Sequence, residues 1–229
     1  MGKKSSQGKR KKEERLKAQK EVEERRRHVQ DVIDRAKKGN PFDNFVPFHH
    51  YERNGLNLQL SSCNGDSIEK DILEWCHELC KRNMLQHYEP VWGWSDAKKR
   101  KQLEHPDSRF IIGLTEDKKP AAYVQFRYED ENCPVLYIYE LQLEPECQRK
   151  GLGRFLMQLC ELMARSCGME AMMLTVLLSN HAAVEMYKKM GYVMDETSPG
   201  VVCPLEEYGY EILRKQFPSV PGKENKTAA

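Results

Sequence analysis

The segment from residue 135 to residue 153 constrains the fold of this chain more than any other. It begins with the apolar run VLYIYELQL over residues 135–143, which is typical of a buried strand, and after a short turn it reads QRKGLG over residues 148–153. An apolar helix pattern follows directly. A strand that leads into a glycine-rich helix start lets the backbone approach a phosphate, with free N–H groups and the helix dipole directed at the anion. The sequence therefore predicts a site for a phosphorylated cofactor between residues 141 and 154.

The spacing of these glycines excludes two common nucleotide-binding loops. A dinucleotide-binding fingerprint needs G-x-G-x-x-G and a P-loop needs G-x-x-x-x-G-K-[ST], and residues 148–153 fit neither. They read as Q/R-x-x-G-x-G. This segment resembles the loop with which GNAT acetyltransferases bind the pyrophosphate of acetyl-CoA, although six residues alone also suit a tight turn before an ordinary core helix.

A second motif follows further along the chain. After an apolar strand pattern over residues 172–177, the sequence continues as N-x-x-A-x-x-x-Y from Asn180 to Tyr187, and then reaches Gly191. Asn180 suits the N-cap of a helix, and Gly191 suits the position that ends one. Both motifs, in this order, are similar to those of the GNAT acetyltransferases. By this resemblance the chain is identified as a member of that superfamily.

Membership implies an α/β fold, the GNAT fold, with a mixed central sheet flanked by helices. We expect a basic N-terminal helical arm over residues 1–40, an acetyltransferase domain over 41–216 and a disordered tail over 217–229. Alternation and periodicity predict the individual elements. The expected strands lie near 56–60, 109–115, 121–129, 135–143, 170–177, 191–195 and 207–214, and the expected helices near 13–38, 66–84, 151–166 and 180–190.

Charge is distributed unevenly along the chain. Residues 1–38 hold 15 Lys+Arg and 7 Asp+Glu, whereas the remaining residues hold 22 and 28. A basic arm on an acidic body favours a basic substrate over a nucleic acid, because long-range attraction follows the sign of the body. We therefore expect no direct binding of nucleic acid.

The first residues suggest where the protein acts. Met1-Gly2-Lys3-Lys4-Ser5-Ser6 fits the N-myristoylation pattern at Gly2, so reversible contact with a membrane is expected, and the basic run over residues 9–12 also suits nuclear import. No secretory signal and no membrane-spanning run is present in the sequence. The eight cysteines lack zinc-site spacing and are expected to be reduced, which is consistent with cytoplasm and nucleus and with no bound metal.

Within GNAT, residues 41–215 most resemble the N-alpha-acetyltransferase D (NatD) family, whose members acetylate the N-terminal serine of histones H4 and H2-A. The likeness rests on several segments, and the chain is about one residue shorter than that family at Glu89–Val91 and at Glu129–Pro134. The matching segments are YERNGLN at 51–57, WGW at 92–94, VLYIYE at 135–140, RKGLG at 149–153, MLTV at 173–176 and YEIL at 210–213.

The resemblance implies roles for individual residues. Glu140 matches the catalytic base, which accepts a proton directly or through one water, and Tyr139 stands beside it. Tyr187 occupies the usual general-acid position, and we expect it to pack rather than to act as the acid. Acetyl-CoA, the implied acetyl donor, would be held by Leu141, Gln142, Leu143, Gln148, Arg149, Lys150, Gly151, Leu152, Gly153 and Asn180.

The histone tails begin Ser-Gly-Arg-Gly, and an arginine binds well to carboxylates. Glu129 and Glu131 match the acidic pair that would receive it. The other implied contacts to the peptide are aromatic or hydroxylic, namely Tyr88, Trp92, Tyr137, Tyr139, Thr175, Ser198 and Tyr210.

Three other functions fit the same sequence, and one of them is a membrane-tethered adaptor built on the N-terminus. A GNAT enzyme of this fold could acetylate lysine or a small molecule, because a fold does not fix a substrate. A non-catalytic binder of histone tails is the third alternative, and the presence of Glu140 together with the glycine loop argues against it.

Overall fold

The computed structural model describes residues 3–218 and has an eight-stranded mixed sheet at its centre. The strand order is β1-β2-β3-β4-β5-β6-β8-β7, in which β5 and β6 pair in parallel and the other neighbouring strands pair antiparallel. The mixed sheet predicted from the GNAT resemblance is confirmed. The strands are β1 (His50–Arg53), β2 (Leu56–Asn64), β3 (Arg109–Thr115), β4 (Pro120–Asp130), β5 (Pro134–Leu143), β6 (Ala171–Leu177), β7 (Val193–Met194) and β8 (Tyr210–Gln216).

Helices cover both faces of this sheet. They are α1 (Lys3–Lys38), α2 (Lys70–Tyr88), α3 (Asp96–Leu103), α4 (Leu152–Ser166), α5 (His181–Lys189) and α6 (Pro199–Val202). Side chains of α1, α4 and α5 share one apolar core with the sheet, and side chains of α2 and α3 form a second core against β3 and β4. Alternation along β4 explains the two cores, since Val124 belongs to the first and Tyr123 to the second.

Helix α1 packs on the body only near its C-terminal end. Val29, Val32, Ile33 and Ala36 are buried in the first core, whereas Val22, which lies near the same helical spacing in the sequence, is 54% exposed. The helix ends immediately before the Gly-Asn-Pro sequence at 39–41, where a stop was expected.

The first hairpin was only half predicted. Strand β2 was expected from its alternating leucines, but β1 was missed. Asn54 and Gly55 join the two strands with φ values of 53° and 73°. This is the positive-φ turn that Asn-Gly favours in hairpins, so the signal was present in the sequence.

The start of α2 also differs from the expectation. The spacing of Asp66 and Glu69 in the sequence resembles a capped helix start, but the helix begins at Lys70, and Glu69, at the N-cap, makes no side-chain capping bond. No helix within residues 3–218 combines the length and the apolar character needed to span a membrane. Gly2 and most of the expected tail, residues 219–229, lie outside the described residues.

Candidate active site

A cavity of about 480 Å³ opens where the two parallel strands separate. Strands β5 and β6 pair from Val135 and Ala171 as far as Ile138 and Leu174, and beyond that point they no longer pair although both strands continue. On the other side of β5, the register against β4 shifts so that Tyr139 has no partner, which is a β-bulge. The bulge and the separation together leave backbone groups of the second half of β5 facing the cavity.

Glu140 lies in the wall of this cavity and is only 4% exposed. Its Oε1 atom accepts hydrogen bonds from the Lys99 ammonium at 2.5 Å and from the Tyr88 hydroxyl at 3.4 Å. Its Oε2 atom accepts one from Gln142 Nε2 at 2.9 Å. A buried carboxylate needs such partners, because an unpaired charge in a low-dielectric interior is costly.

Lys99 is the functional residue that the sequence did not reveal. It sits on α3 within the run Lys98-Lys99-Arg100-Lys101, where Lys98 and Lys101 are exposed but Lys99 is 4% exposed. Its ammonium also donates to Tyr88 Oη at 2.9 Å and to Gln102 Oε1 at 2.8 Å. Burial alone would lower the pKa of Lys99, but the charge of the Glu140 carboxylate and the hydrogen bond to it raise this pKa well above its usual value. Lys99 therefore stays an ammonium.

The glycine loop has the geometry expected of an anion site. Gly151 is the N-cap of α4 with φ = 87°, and Arg149 also has a positive φ, 59°. Because the N–H of Phe155 is bonded to the Gly151 carbonyl at 3.1 Å, the N–H groups of residues 152–154 have no acceptor within the helix. Three free N–H groups at a helix start suit a phosphate.

The first hairpin holds this loop in place. The Lys150 carbonyl accepts hydrogen bonds from the Tyr51 hydroxyl at 2.6 Å and from Asn54 Nδ2 at 2.8 Å. A Cβ atom added to Gly151 would lie 3.0 Å from Tyr51 Oη, so a larger residue there must displace the tyrosine.

The remaining residues expected at the cofactor divide into two groups. Leu141, Gln142 and Asn180 line the cavity, and Leu141 Cδ2 would lie 3.8 Å from a Cβ on Gly153, so cavity and loop adjoin. Leu143 and Gln148 instead shape the turn between β5 and α4. The Leu143 carbonyl accepts from Gln148 Nε2 at 3.1 Å, and the Gln148 N–H is bonded to the Pro145 carbonyl.

The second sequence motif folds as expected. Asn180 caps α5, with its side chain accepting from the Ala183 N–H at 3.2 Å, and Gly191 follows the helix with φ = 85°. Ala183 and Tyr187 both line the cavity. Burial and the charge of Glu140 raise the pKa of Tyr187, which makes its hydroxyl a weaker acid.

Aromatic rings line a further part of the cavity. Trp92 lies between Tyr88 and Tyr210, with ring centroids 5.3 and 4.8 Å away. Tyr137 and Thr175 share a hydrogen bond of 2.6 Å across the gap between β5 and β6. These five expected peptide contacts all line the cavity, although they come from α2, the loop after it, β5, β6 and β8.

The two expected acidic residues occupy different positions. Glu131 lines the cavity and sits in the tight turn between β4 and β5, where Asn132 has φ = 60°. Burial, and then the charges of Glu129, Asp195 and Asp130, raise the pKa of Glu131. Glu129 instead accepts a hydrogen bond of 3.1 Å from the Tyr139 hydroxyl.

The hydrogen bond to Glu129 fixes the direction of the Tyr139 hydroxyl proton. Burial and the charge of Glu129 raise its pKa to about 12, so the phenol remains protonated and its hydrogen points at Glu129. Tyr139 thus lines the cavity without offering a free proton to it.

Ser198 does not lie where a contact with the peptide was expected. It is fully buried beside α6, does not line the cavity, and its hydroxyl accepts a hydrogen bond from the Ile212 N–H at 3.1 Å. Its function in this structure is to anchor the segment before β8.

Solved structures of low sequence identity share this architecture. A GNAT-family acetyltransferase from Listeria monocytogenes superposes with a TM-score of 0.50 at 13% identity, covering 73% of this chain and 99% of the other. A putative phosphinothricin N-acetyltransferase gives 0.52 at 18% identity, with 70% and 100% covered. A putative GNAT acetyltransferase from Desulfovibrio desulfuricans gives 0.51 at 12%, with 69% and 98% covered.

The family itself follows from the sequence match rather than from these likenesses, which show the fold. The model of the acetyltransferase (GNAT) family matches residues 73–192, slightly more than half of the chain. The matched range holds the glycine loop, Glu140 and the Asn180–Tyr187 motif. This chain belongs to the GNAT acetyltransferase family.

Proposed function

We propose that this enzyme transfers an acetyl group from acetyl-CoA to the N-terminal serine amine of histones H4 and H2-A. The observation that carries the proposal is that a carboxylate suited to accept a proton, Glu140, and a carboxylate suited to hold an arginine, Glu131, line one aromatic cavity. An N-terminal amine and the arginine two residues after it would occupy these two positions.

The residues expected to bind the cofactor fit the proposed acetyl donor. Acetyl-CoA would supply the acetyl group as a thioester. The free N–H groups at residues 152–154, with the Arg149 and Lys150 side chains in the same loop, would bind its pyrophosphate. The exposed backbone of β5 beside Leu141 would receive the extended part of the molecule, as an added strand is received by a sheet edge.

Glu140 would serve the acceptor amine. An α-amine has a pKa of about 7.7–8.0, so a large share carries a proton near neutral pH and cannot attack. Oε1 of Glu140 already accepts from Lys99 and Tyr88, whereas Oε2 accepts from Gln142 alone among residues 3–218, so Oε2 has a lone pair available. The amine proton would pass to Oε2 directly or through one water.

Glu131 would select the peptide. Burial, and then repulsion from neighbouring carboxylates, raise the pKa of Glu131, and an arginine of the substrate would relieve that repulsion. Trp92, Tyr88 and Tyr210 would enclose the first residue, so a small side chain is favoured there.

A panel of peptides with acetyl-CoA tests the proposal. We expect acetylation of Ser-Gly-Arg-Gly peptides on the α-amine by mass spectrometry, and none on a peptide whose α-amine is blocked. Acetylation of a lysine in the blocked peptide, or of free lysine or another small amine in preference to the peptide, would contradict an N-terminal acetyltransferase.

A double cycle tests the assignment of the acidic pair. Replacing the peptide arginine with alanine, or Glu129 and Glu131 together with glutamine, should each raise KM by about tenfold or more. Combining the changes should add little, because both remove the same contact. The single variant Glu129→Gln serves as the control, since Glu129 is bonded to Tyr139 and Glu131 lines the cavity. Additive effects would mean that these glutamates do not hold the arginine.

A further inference from the structure

Lys99 carries an inference that goes beyond the roles considered so far. It is buried, lies on α3 whereas Tyr88 lies on α2 and Glu140 on β5, and contacts the candidate base directly. A lysine is rarely buried to this extent unless it is paired. The pair is therefore a costly arrangement, and a structural role alone would be met as well by two apolar residues.

The surroundings of Glu140 contain other titratable groups, and burial keeps them uncharged. They are Cys76, Cys80 and Tyr88 on α2, Tyr123 on β4 and Tyr187 on α5, and burial raises the pKa of each well above neutrality. Among residues 3–218, Lys99 is thus the one charged group in contact with the Glu140 carboxylate. Its ammonium and the carboxylate form a pair with no net charge.

A neutral pair affects the substrate as well as the base. An isolated buried carboxylate would take up a proton itself, or would hold a nearby amine as an ammonium, because opposite charges stabilise each other strongly in a dry site. Either outcome would leave the amine unable to attack. With its charge balanced, Glu140 can accept a proton without trapping the ammonium form.

We propose that Lys99 is a positioning residue of this site, whose ammonium balances the charge of Glu140 and fixes its Oε1 atom so that Oε2 accepts the substrate proton. The inference rests on the proposed amine acetylation for its kinetic consequences. Its electrostatic part concerns Glu140 alone and is independent of the substrate.

The kinetic test compares Lys99→Met, Lys99→Arg and the exposed neighbour Lys98→Met as the control. With acetyl-CoA and a Ser-Gly-Arg-Gly peptide, Lys99→Met should lower kcat/KM by about tenfold or more near neutral pH, and the acid limb of the profile should move up by about 1–3 pH units. Activity should therefore recover at high pH. Lys99→Arg should keep the limb near its original position, and Lys98→Met should match the wild type. A loss that is equal at every pH would overturn the proposal.

A second measurement needs neither activity nor the Lys99→Met variant. In the wild type, the 13C NMR signal of the Glu140 side-chain carboxyl carbon, assigned with Glu140→Gln, should be that of a carboxylate paired with an ammonium at neutral pH. A protonated Glu140 at neutral pH would overturn the proposal even if Lys99→Met fails to fold. If the wild type acetylates no peptide amine but this signal is as expected, the proposed substrate is wrong and the pairing with Lys99 stands.

Discussion

The two sides of the cavity are built from different kinds of chemical groups. The donor side, defined by residues 148–153 and Asn180, presents backbone N–H groups at the start of one helix and the cap of another. The acceptor side, defined by Tyr88, Lys99, Glu131 and Glu140, consists of side chains brought together from α2, α3, β5 and the turn before β5. A backbone site depends on local conformation, whereas a side-chain network depends on tertiary packing.

The difference predicts how each side responds to change. On the donor side the geometry depends on Gly151, so a substitution there should act locally and should weaken only the binding of acetyl-CoA. On the acceptor side Lys99 and Glu140 are buried against each other, so removing one leaves its partner unpaired. A substitution there should lower both the catalytic rate and the stability of the fold.

The largest effect is expected from Glu140→Gln, which removes the proton acceptor and leaves the Lys99 ammonium buried without its counter-charge. We expect kcat to fall by about 100-fold or more, and the free energy of unfolding to drop by about 3–5 kcal/mol, measured by urea denaturation. The double variant Lys99→Met/Glu140→Gln is the control, because it removes both charges. It should regain most of the stability and none of the activity.

Activity in Glu140→Gln within about threefold of the wild type would show that the base lies elsewhere. A double variant as unstable as the single one would show that the loss comes from packing rather than from an uncompensated charge. Either result would remove the contrast between the two sides.

The same contrast explains which parts could be predicted from the sequence. Strands β3 to β6 and helices α4 and α5 follow from periodicity and from caps such as Asn180 and Gly191, which act on their own segments. Strand β1 was missed although its Asn54-Gly55 turn is a local signal, because four residues give little alternation to detect.

Lys99 shows why the acceptor side was harder to predict. Nothing in its segment distinguishes it from Lys98 or Lys101, and its burial depends on where α3 docks beside Glu140, 41 residues away in sequence. The opposite error occurred at Ser198, which was expected to contact the peptide but is bonded to the backbone of β8. Both outcomes are decided by tertiary contacts, which a pattern along the chain does not encode.

An intermediate effect is expected from Gly151→Glu on the donor side. A side chain at φ = 87° is strained, its Cβ would approach Tyr51 Oη, and its charge would repel a pyrophosphate. The Kd for acetyl-CoA should rise by about tenfold or more in calorimetry, with the peptide KM little changed. Gly191→Glu is a matched control, since Gly191 has φ = 85° and open space around its Cβ position. Equal losses of affinity in the two variants would mean that backbone strain, rather than the loop, controls binding.

The smallest effect is expected from Tyr187→Phe, at the boundary of the two sides. Within residues 3–218 the Tyr187 hydroxyl makes no hydrogen bond to another residue, and the ring packs at 5.8 Å from Tyr192 in the first core. Because burial and the charge of Glu140 raise the pKa of Tyr187, its proton is held more tightly than in water and is poorly suited to protonating a leaving group. We expect kcat to change by less than about threefold, and the high-pH limb of the rate profile to keep its position.

Tyr187→Ala, which also removes the ring, should lose stability as well. A tenfold fall in kcat with a displaced high-pH limb in Tyr187→Phe would instead make this hydroxyl the general acid, and the donor side would then contribute a side chain to the chemistry.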